Sequence, residues 1–532
     1  MEASELGAAV AELAAKLRRV VGDGNVLDDA RSRHLYSIDF SELPGEEACL
    51  VVRPGSTPEV SEVVGAASSA GFAILARGGA MSYTLGHVPA RPDSVVLDMA
   101  RMNRVVEVNT ADGYVIVEAG VTWKQLREAL QSEAYHVPFY GTLSGVLATI
   151  GGGLGNMATA LGKGDITDDL LGLEVVLPDG QVLGTGCLVK GRGAPTLRQF
   201  GPDLTGLFVA DGGAFGVKTR AVFRLLKRPG GAGYASFGFP DRHGAVAALC
   251  EIARSELATE LFAFGRYHNE QIGTAPKPSR EESRQFVQDL FRMSSSRVRA
   301  ARDLLRCLRP GGMGFLAGQA VSLHVVADGF DQRSADRKIA AAKRVAARCG
   351  GVGLPPSLAV TLRVAPFMPV DKLILGTNGT CSIPSHCVVP YSRAAALVSA
   401  LERFFAENAT LMAAQRIEHT MIYFRTGGRF GVEPILYWPD SLSSLRLSIL
   451  DPERREALSQ LEPNPAARQA ALDLRRRLVD AFIENDGGYA QIGKYYPYRE
   501  RLGEGPSWQV LEKIKAALDA GRTMNPGALG LG

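Results

Sequence analysis

Residues 72–83 read FAILARGGAMSY, and they join a predicted strand at 72–76 to a glycine-bearing loop that follows it directly. Glycine lets backbone N–H groups approach a bound anion closely, and consecutive N–H groups of such a loop can form a nest that holds a phosphate without a lysine. A single glycine loop after a strand is more often only a tight turn. The interpretation of this loop therefore depends on whether the chain has others of the same kind.

Two further glycine loops occur in the next 140 residues of the chain. Residues 151–156 read GGGLGN and precede a helix-like run, and residues 211–216 read DGGAFG and lead into a predicted strand at 217–224. Neither a Walker lysine loop nor a strand–GxGxxG–helix unit is present, because no predicted strand precedes Gly151. The three loops together predict a neutral, glycine-rich cradle that suits the diphosphate of a dinucleotide.

The composition is that of an ordinary globular protein. Of the 532 residues, 46% are apolar and 22% are charged, and a net charge of +3 gives no reason to expect a nucleic-acid partner. Seven scattered cysteines without paired spacing favour reduced thiols. The N-terminus reads as an amphipathic helix and not as a signal peptide, and no apolar run is long enough to span a membrane. We therefore expect a cytoplasmic protein with no membrane partner.

The order of the predicted elements indicates an α+β fold. Residues 48–225 mix strand–helix–strand and hairpin patterns, with a helix at 57–70 that Thr57 would cap. Beyond residue 230 helices dominate, and they alternate with predicted strands near 259–267, 319–326, 356–365, 418–425 and 432–438. We predict a first domain at residues 1–230, a second α+β domain at 231–475 and a C-terminal segment at 476–532.

The order and spacing of these motifs resemble the flavin-binding domain of the vanillyl-alcohol oxidase/para-cresol methylhydroxylase family. The resemblance rests on Val52-Arg53-Pro54, on residues 76–82, 95–98, 117–122, 150–152, 173–180 and 213–219, and on the ending Met524-Asn525-Pro526-Gly527. It is weak in the middle of the chain, where the family has its substrate-covering cap. It implies a two-domain flavoprotein with a PCMH-type FAD-binding domain of two α+β subdomains, a cap domain of antiparallel sheet covered by helices, and a C-terminal segment that returns to the FAD domain.

Carried over to this sequence, the resemblance assigns three walls of an FAD site. The loop around the pyrophosphate would consist of Arg77, Gly78, Gly79, Ala80, Met81 and Ser82. The wall beside the ribityl chain and isoalloxazine would consist of Thr142, Ser144, Thr149, Ile150, Gly152 and Asn156. The residues near the adenine or ribose would be Gly213, Gly216 and Val217, with Asn525 closing the site.

The resemblance also bears on a covalent flavin link. Many members carry a flavin-linked histidine where this chain has Met81, so that tether is absent here. His386, in the stretch His386-Cys387-Val388-Val389-Pro390, resembles the cap histidine that phenol-oxidising members use instead. We leave open whether His386 is linked to FAD or only packs or hydrogen-bonds in the cap.

Among the catalytic candidates, Asp165 stands where phenol oxidases have an aspartate near flavin N5. Asp168 and Asp169 compete with it for that role, and a cap on the following strand is the alternative. A buried carboxylate at this position would have a raised pKa and could act as an acid or base.

Further candidates lie near the C-terminus and in the cap. Tyr489, Lys494 and Tyr496 belong to a run rich in tyrosine and cations, but Ala490 stands where phenol oxidases have an arginine. In the cap, Glu433 either faces the substrate or pairs with Arg425 or Arg363, and we favour the pairing because a lone buried glutamate is costly. No His-x-x-x-His or Cys-x-x-Cys spacing occurs, so no metal is predicted.

The function that follows is an FAD-dependent oxidoreductase that removes a hydride from a carbon bearing or adjacent to oxygen. A para-substituted phenol or an aromatic or other alcohol is favoured by the C-terminal tyrosines and by the histidine near Pro390. A 2-hydroxy acid such as lactate or glycolate is the alternative, favoured by the cations Arg266, Arg363, Arg425 and Lys494. A second alternative is a catalytically inactive binding protein with the flavin fold. The expected partners are a small organic substrate and O2 or another electron acceptor, and a homo-oligomer is left open.

Overall fold

Three large sheets organise the chain, which a computed structural model describes at residues 3–159, 162, 164–189, 197–199, 201–274, 279–294, 296–308 and 313–532. Two of the sheets form the N-terminal part, and the third forms the cap. The α+β class predicted from the sequence is confirmed, with two α+β units followed by an antiparallel sheet covered by helices.

The first sheet has the strand order β1-β2-β4-β3, in which β2, β4 and β3 are parallel. The strands are β1 Val26–Leu27, β2 Leu50–Val52, β3 Ala73–Arg77 and β4 Ser94–Asp98. Helices α1 Ala3–Val21, α2 Ala30–Tyr36 and α3 Thr57–Ser69 accompany it. Strands β2 and β4 are buried along their whole length, as expected for parallel strands that are covered on both faces. This burial fixes the end of β3, from which the first glycine loop begins.

The second sheet is antiparallel, with the order β5-β6-β10-β8-β9. Its strands and a separate pair, β7 and β11, are β5 Val105–Asn109, β6 Tyr114–Glu118, β7 Tyr135–His136, β8 Leu170–Val176, β9 Val182–Gly184, β10 Val217–Arg224 and β11 Leu226–Lys227. The helices are α4 Trp123–Ala129, α5 Ile150–Gly155 and α6 Leu204–Leu207. An aromatic cluster of Trp123, Phe139 and Phe223 packs on this sheet and holds the loop before α5 in place.

The cap is one antiparallel sheet with the order β15-β12-β14-β13-β18-β19-β16, and β17 pairs beside β16 on β19. Its strands are β12 Gly231–Phe239, β13 Glu260–Gly265, β14 Val321–Gly329, β15 Val352–Leu354, β16 Cys381–Pro384, β17 Cys387–Val389, β18 Glu418–Thr426 and β19 Arg429–Trp438. Hairpin β18–β19 is one of the two longest pairings of this sheet, and it carries its turn, Gly427-Gly428, toward the N-terminal part.

The helices of the cap and the C-terminus surround this sheet. They are α7 Arg242–Arg254, α8 Arg266–Thr274, α9 Arg280–Met293, α10 Arg297–Cys307, α11 Gln332–Arg348, α12 Ser357–Val364, α13 Asp371–Ile374, α14 Ala394–Glu407, α15 Ala409–Ala414, α16 Ser444–Ile449, α17 Pro452–Leu458, α18 Pro465–Glu484, α19 Tyr498–Leu502 and α20 Pro506–Leu518. Among the described residues, no helix combines the length and the apolar character needed to cross a bilayer. All seven cysteines are free thiols.

The last residues of the chain contact the first sheet. The Ile74 N–H donates to the Thr523 carbonyl at 2.8 Å, and the Asn525 N–H donates to the Ile74 carbonyl at 2.9 Å, so that this segment extends the sheet beside β3. The boundaries at 230 and 475 stay predictions, and residue 475 falls inside the continuous helix α18.

Two local predictions are wrong. Residues 356–365 form helix α12 and not a strand, because a short apolar run that is buried on nearly all sides carries no periodicity that separates the two. Ser56, not Thr57, caps α3: its hydroxyl accepts a hydrogen bond from the Glu59 N–H, while Thr57 Oγ1 donates to Glu174 at 2.6 Å.

Candidate active site

A cavity of about 840 Å³ lies between the N-terminal part and the cap. One side, which we call the glycine wall, consists of residues 78–82, 151–156 and 212–216. The other side, the chamber, is built from side chains of the cap. The three glycine loops that the sequence pointed to therefore face one space. The volume is in the range of a ligand or cofactor site.

The loop after β3 presents unpaired backbone donors. None of the five consecutive backbone N–H groups of residues 78–82 donates a hydrogen bond to another group of the described chain. The loop is held from behind, since Phe40 N–H donates to the Ser82 carbonyl at 3.1 Å and Thr84 Oγ1 donates to Asn156 at 3.0 Å. Fixed, unpaired N–H groups are what an anion such as a diphosphate requires.

Glycine is required at this loop by close packing of two backbone segments. A Cβ on Gly79 would lie 1.8 Å from the Leu147 carbonyl oxygen, and a Cβ on Gly78 would lie 2.1 Å from Thr149 Oγ1. The first loop and the segment before α5 thus touch directly, and together they make one continuous wall.

One side chain, that of Asn525, ties the third loop to the segment that follows the first loop. Asn525 Nδ2 donates to the Gly86 carbonyl at 2.8 Å and also to the Gly212 carbonyl. The Gly212 N–H in turn donates to the Gly155 carbonyl at 2.9 Å. At Gly213 and Gly152 an added Cβ would meet one side-chain atom each, at 3.7 and 3.2 Å, so both positions open into the cavity. The wall therefore fits a dinucleotide such as FAD that lies along bare backbone.

The structure brings thirteen of the seventeen predicted cofactor residues to the cavity. They are Gly78, Gly79, Ala80, Met81, Ser82, Thr142, Ser144, Thr149, Gly152, Asn156, Gly213, Gly216 and His386. The other four lie behind the wall. Arg77 is buried with its guanidinium over the ring of Tyr36 at 4.2 Å, Ile150 and Val217 belong to the hydrophobic core, and Asn525 clamps the loops.

His386 and Glu433 form a polar pair inside the chamber. His386 Nε2 lies 3.3 Å from a Glu433 carboxylate oxygen, and the ring Nδ1 lies 2.9 Å from the hydroxyl of Tyr83. Gln491 donates to the same hydroxyl at 3.0 Å, and the His386 N–H donates to Tyr496 at 2.9 Å. Burial raises the pKa of Tyr83 well above its usual value, which keeps that phenol neutral. The imidazole is thus fixed on both sides.

The predicted partner of Glu433 is wrong. Glu433 contacts His386, whereas Arg425 donates to the Ala258 carbonyl at 2.8 Å and pairs with Glu256, and Arg363 pairs with Glu260 and Asp328 in the cap interior. The alternatives for Glu433 were to face the substrate or to pair with an arginine. The structure supports the first, because Glu433 lines the cavity.

Much of the rest of the chamber is apolar and aromatic, with a further histidine among its polar residues. Its apolar lining includes Phe262, Phe264, Leu358, Leu362, Ile422, Phe424 and Ile435. His268 lies 3.5 Å from the Tyr437 hydroxyl and 3.3 Å from Thr420 Oγ1, and burial lowers the pKa of His268 to about 4. A neutral imidazole there leaves the chamber without a fixed positive charge at that position.

Asp165 does not line the cavity. It accepts a hydrogen bond from Thr426 Oγ1 at 3.2 Å and pairs with Arg429, both in the turn of hairpin β18–β19. Burial raises the pKa of Asp165, as the sequence led us to expect, but the carboxylate joins the N-terminal part to the cap. Its competitors Asp168 and Asp169 do not line the cavity either.

The remaining catalytic candidates also lie away from the cavity. Lys494 Nζ donates to the Val88 carbonyl at 2.7 Å, and Tyr489 stacks on Tyr496 with ring centroids 4.7 Å apart. Tyr496 reaches the site only through the backbone of His386. None of the cations Arg266, Arg363, Arg425 and Lys494 lines the cavity, and the described cations that do are Lys218, Lys372 and Arg454. Within the described residues, no group of three His, Cys, Asp or Glu is arranged to hold a metal.

The sequence did not predict three features of this site. They are the His386–Glu433 pair, the tyrosine Tyr83 that orients it, and the helix α12 that lines the chamber. The antiparallel register pairs Cys387 with Val432, so the preceding His386 faces the following Glu433. The pairing of His386 with Glu433 depends on this register, which the sequence alone does not give.

Comparison with known proteins agrees with this site. A family model described as an FAD binding domain matches residues 48–186. The fold is similar to that of p-cresol methylhydroxylase with bound substrate, with a TM-score of 0.71 at 18% identity, covering 98% of this chain and 97% of that chain. Residues 48–186 are thus an FAD-binding domain, and the chain has the p-cresol methylhydroxylase fold. The cofactor prediction, FAD, is confirmed.

Other solved structures and curated relatives extend the comparison. A 4-ethylphenol oxidase from Gulosibacter chungangensis has a TM-score of 0.66 at 20% identity and covers 98% of this chain and 97% of that chain. The mitochondrial cytochrome-type D-lactate dehydrogenase of Arabidopsis thaliana is 34% identical over 47% of this chain and 44% of its own. A mitochondrial D-2-hydroxyglutarate dehydrogenase of Bos taurus is 29% identical over 47% of this chain and 45% of its own. The chain thus spans about half the length of the curated relatives it matches.

Proposed function

We propose that this flavoprotein oxidises the alcohol carbon of a 2-hydroxy acid that carries a bulky apolar or aromatic group. The observation that carries the proposal is the His386–Glu433 pair, which lies in a largely apolar chamber that adjoins the glycine wall. The names of the curated relatives, D-lactate and D-2-hydroxyglutarate dehydrogenases, support the 2-hydroxy acid class.

The residues of the chamber would divide the work as follows. When bound, FAD accepts a hydride from the substrate. Oxidation of an alcohol also releases the hydroxyl proton. Nε2 of His386 faces Glu433 and Nδ1 faces the Tyr83 hydroxyl, so the proton would pass to the Tyr83 oxygen while the hydroxyl hydrogen of Tyr83 moves to Nδ1 of His386, the base. Glu433, at 3.3 Å, stabilises the imidazolium that forms, and Tyr83 holds the ring orientation from the opposite side. The apolar lining excludes water and accommodates the substituent of the substrate.

The exposed cation Lys372 lines the cavity, and it is the residue that we assign to attract the carboxylate. Arg454 lines the same cavity but is neutralised by Asp371. A charge at a half-open position raises the rate of association more than the final affinity. The proposed reaction also needs an electron acceptor, O2 or another, that reoxidises the flavin.

A para-substituted phenol or aromatic alcohol is the second candidate. The aromatic side chains Phe262, Phe264 and Phe424 in the chamber favour it, because an aromatic ring packs well against them. The scarcity of cations on the described chamber wall also favours a substrate without a carboxylate.

The test is anaerobic bleaching of the flavin absorption by each substrate class. The panel contains both enantiomers of lactate, mandelate and 2-hydroxyoctanoate on one side, and 4-ethylphenol and 4-hydroxybenzyl alcohol on the other. We expect fast bleaching by one enantiomer of mandelate or 2-hydroxyoctanoate and slow bleaching by lactate. Bleaching by the phenols alone would select the second candidate, and no bleaching by any compound would favour the inactive binding protein.

The base is tested by His386→Gln. We expect the rate of flavin reduction to fall by about 10²–10⁴-fold, the usual contribution of a positioned general base, with flavin content unchanged. His419→Gln is the matched control, because His419 lies on β18 of the same sheet and stacks on Phe405 outside the cavity. Equal rates in the two variants would remove His386 from the mechanism.

Acid precipitation tests the covalent link. If the wild type keeps its flavin in the precipitate and His386→Gln does not, the flavin is linked through His386.

A further inference from the structure

Exposed apolar side chains concentrate on the outer face of α10 and on the turn beside it. Val298 is 82% exposed, Leu305 70% and Leu308 66%, and Phe330 in the turn between β14 and α11 is 96% exposed. Among the described large apolar side chains, Val352 is the one other that is exposed to a similar extent. Single exposed apolar residues are ordinary, but a cluster marks an interaction surface.

Helix α10 is apolar on two faces. Its inner face, with Ala300, Leu304 and Cys307, packs against the buried side of α12 and α9. Steps of three and four residues place Val298, Ala301, Leu305 and Leu308 on a second face, which points to solvent. A helix whose apolar residues extend from its packed side onto its exposed side is expected to be covered there as well. Its one acid, Asp303, is buried and pairs with Arg299 and Arg306.

The turn that carries Phe330 lies next to the start of α10. Arg299 and Gln332 both donate to the carbonyl of Ala232, and this shared acceptor brings the N-terminal turn of α10 and the first turn of α11 together. We call the exposed apolar side chains of α10 and of this turn the α10 face: Val298, Leu305, Leu308 and Phe330.

The charges around the α10 face decide between occupants. Arg297 and Arg302 are exposed beside the apolar stripe, and the exposed surface of α10 carries no acid. At the start of α11, exposed Asp331 and Asp336 alternate with exposed Arg333 and Arg337, and exposed Lys343, Arg344 and Arg348 make the helix as a whole net basic. A second copy of the chain would bring arginine against arginine, whereas an anionic bilayer offers both acyl chains and negative headgroups.

We infer that the α10 face docks the protein on the surface of an anionic lipid bilayer. Phe330, Val298, Leu305 and Leu308 enter the boundary between headgroups and acyl chains, and Arg297 and Arg302 contact the headgroups. This departs from the expectation of no membrane partner, which concerned segments that cross a membrane. Helix α12, whose Leu358 and Leu362 line the chamber, lies directly beneath α10, so the docked face is one helix away from the chamber.

The experiment is co-sedimentation of the flavin-loaded protein with vesicles. The two compositions are phosphatidylcholine alone and phosphatidylcholine mixed with phosphatidylglycerol. We expect binding to the anionic vesicles, weakened by added salt, and little binding to the neutral ones. The combined variant Val298→Asp, Leu305→Asp and Leu308→Asp should lower the bound fraction about tenfold or more.

Two further variants keep the result interpretable. Val510→Asp on α20, where Val510 is 54% exposed, is the matched control and should bind as the wild type does. Arg297→Gln with Arg302→Gln leaves the apolar stripe intact and should lose the preference for anionic vesicles. Visible flavin absorption and thermal unfolding check that each variant is folded.

Two outcomes would overturn the inference. The first is that the wild type does not sediment with anionic vesicles, or that the triple variant sediments equally well. The second is that light scattering shows a wild-type dimer which the triple variant loses, since this would assign the α10 face to a second copy of the chain.

Discussion

The two sides of the cavity are built by opposite means. The glycine wall presents backbone from loops that lack side chains, and its geometry is fixed by contacts of backbone with backbone, such as that of Gly79 with Leu147. The chamber presents side chains from strands and helices that lie far apart in sequence, such as His386, Glu433 and Leu362. The first arrangement suits a cofactor whose diphosphate is always the same, and the second can be altered residue by residue to suit a substrate.

The largest expected effect is on the glycine wall. Gly79→Ala would place a methyl group within 1.8 Å of the Leu147 carbonyl oxygen, so the loop must move. We expect loss of nearly all bound flavin and a fall of at least about 3 kcal/mol in the free energy of unfolding, the upper part of the range for overpacking. The absorption spectrum of the purified variant and its thermal unfolding measure the two effects.

Gly24→Ala is the control for this change, because an added Cβ there meets no atom within 4 Å. It should keep the flavin content and the stability of the wild type. A yellow, stable Gly79→Ala protein would contradict the view that the wall depends on close backbone packing.

A smaller effect is expected in the chamber. Leu362 is 6% exposed and lines the cavity, so Leu362→Phe narrows the chamber without touching the glycine wall. We expect unchanged flavin content and a fall in kcat/KM of about ten- to hundredfold for a bulky substrate, with little change for a small one. Steady-state kinetics with a bulky and a small substrate check this, and Leu411→Phe on the surface helix α15 is the control. Flavin loss in Leu362→Phe would mean that the two sides are not independent.

The sequence could predict the glycine wall because its function lies in missing side chains, and a missing side chain is visible in the sequence itself. The loops at 78–82, 151–156 and 212–216 were found in this way. His386 and Glu433 were each candidates, but their pairing in the chamber could not be predicted, because they are 47 positions apart and meet only through the register of β17 with β19. Arg425 shows the same limit. Its partner, Glu256, lies in the connection between α7 and β13, far from Arg425 in the sequence.

The smallest expected effect is on the pH dependence of stability. It concerns the C-terminal segment, which belongs neither to the glycine wall nor to the chamber. Burial lowers the pKa of Lys494 to about 7 from its usual 10.5. Between these two pKa values the unfolded chain binds a proton at Lys494 that the folded protein does not bind. The free energy of unfolding therefore rises with pH across this window. Below pH 7 the full destabilisation by the buried lysine is present.

We therefore compare Lys494→Met with the wild type by unfolding at several pH values from 7 to 9.5. The wild type should gain up to about 1.4 kcal/mol per pH unit relative to the variant, the slope for one proton. Lys16→Met on the exposed side of α1 should follow the wild type. Parallel pH profiles for Lys494→Met and the wild type would show that Lys494 stays protonated in the folded protein.

The contacts of Thr523 and Asn525 have a consequence for the order of events during synthesis. The strand that carries the first glycine loop gains its outer neighbour only from Thr523 and Asn525, and the same asparagine ties Gly86 to Gly212. Until residues 523–525 have left the ribosome, the nascent chain has a cofactor site that is open at one seam. Closure of the cofactor site therefore waits for residues 523–525 to reach β3.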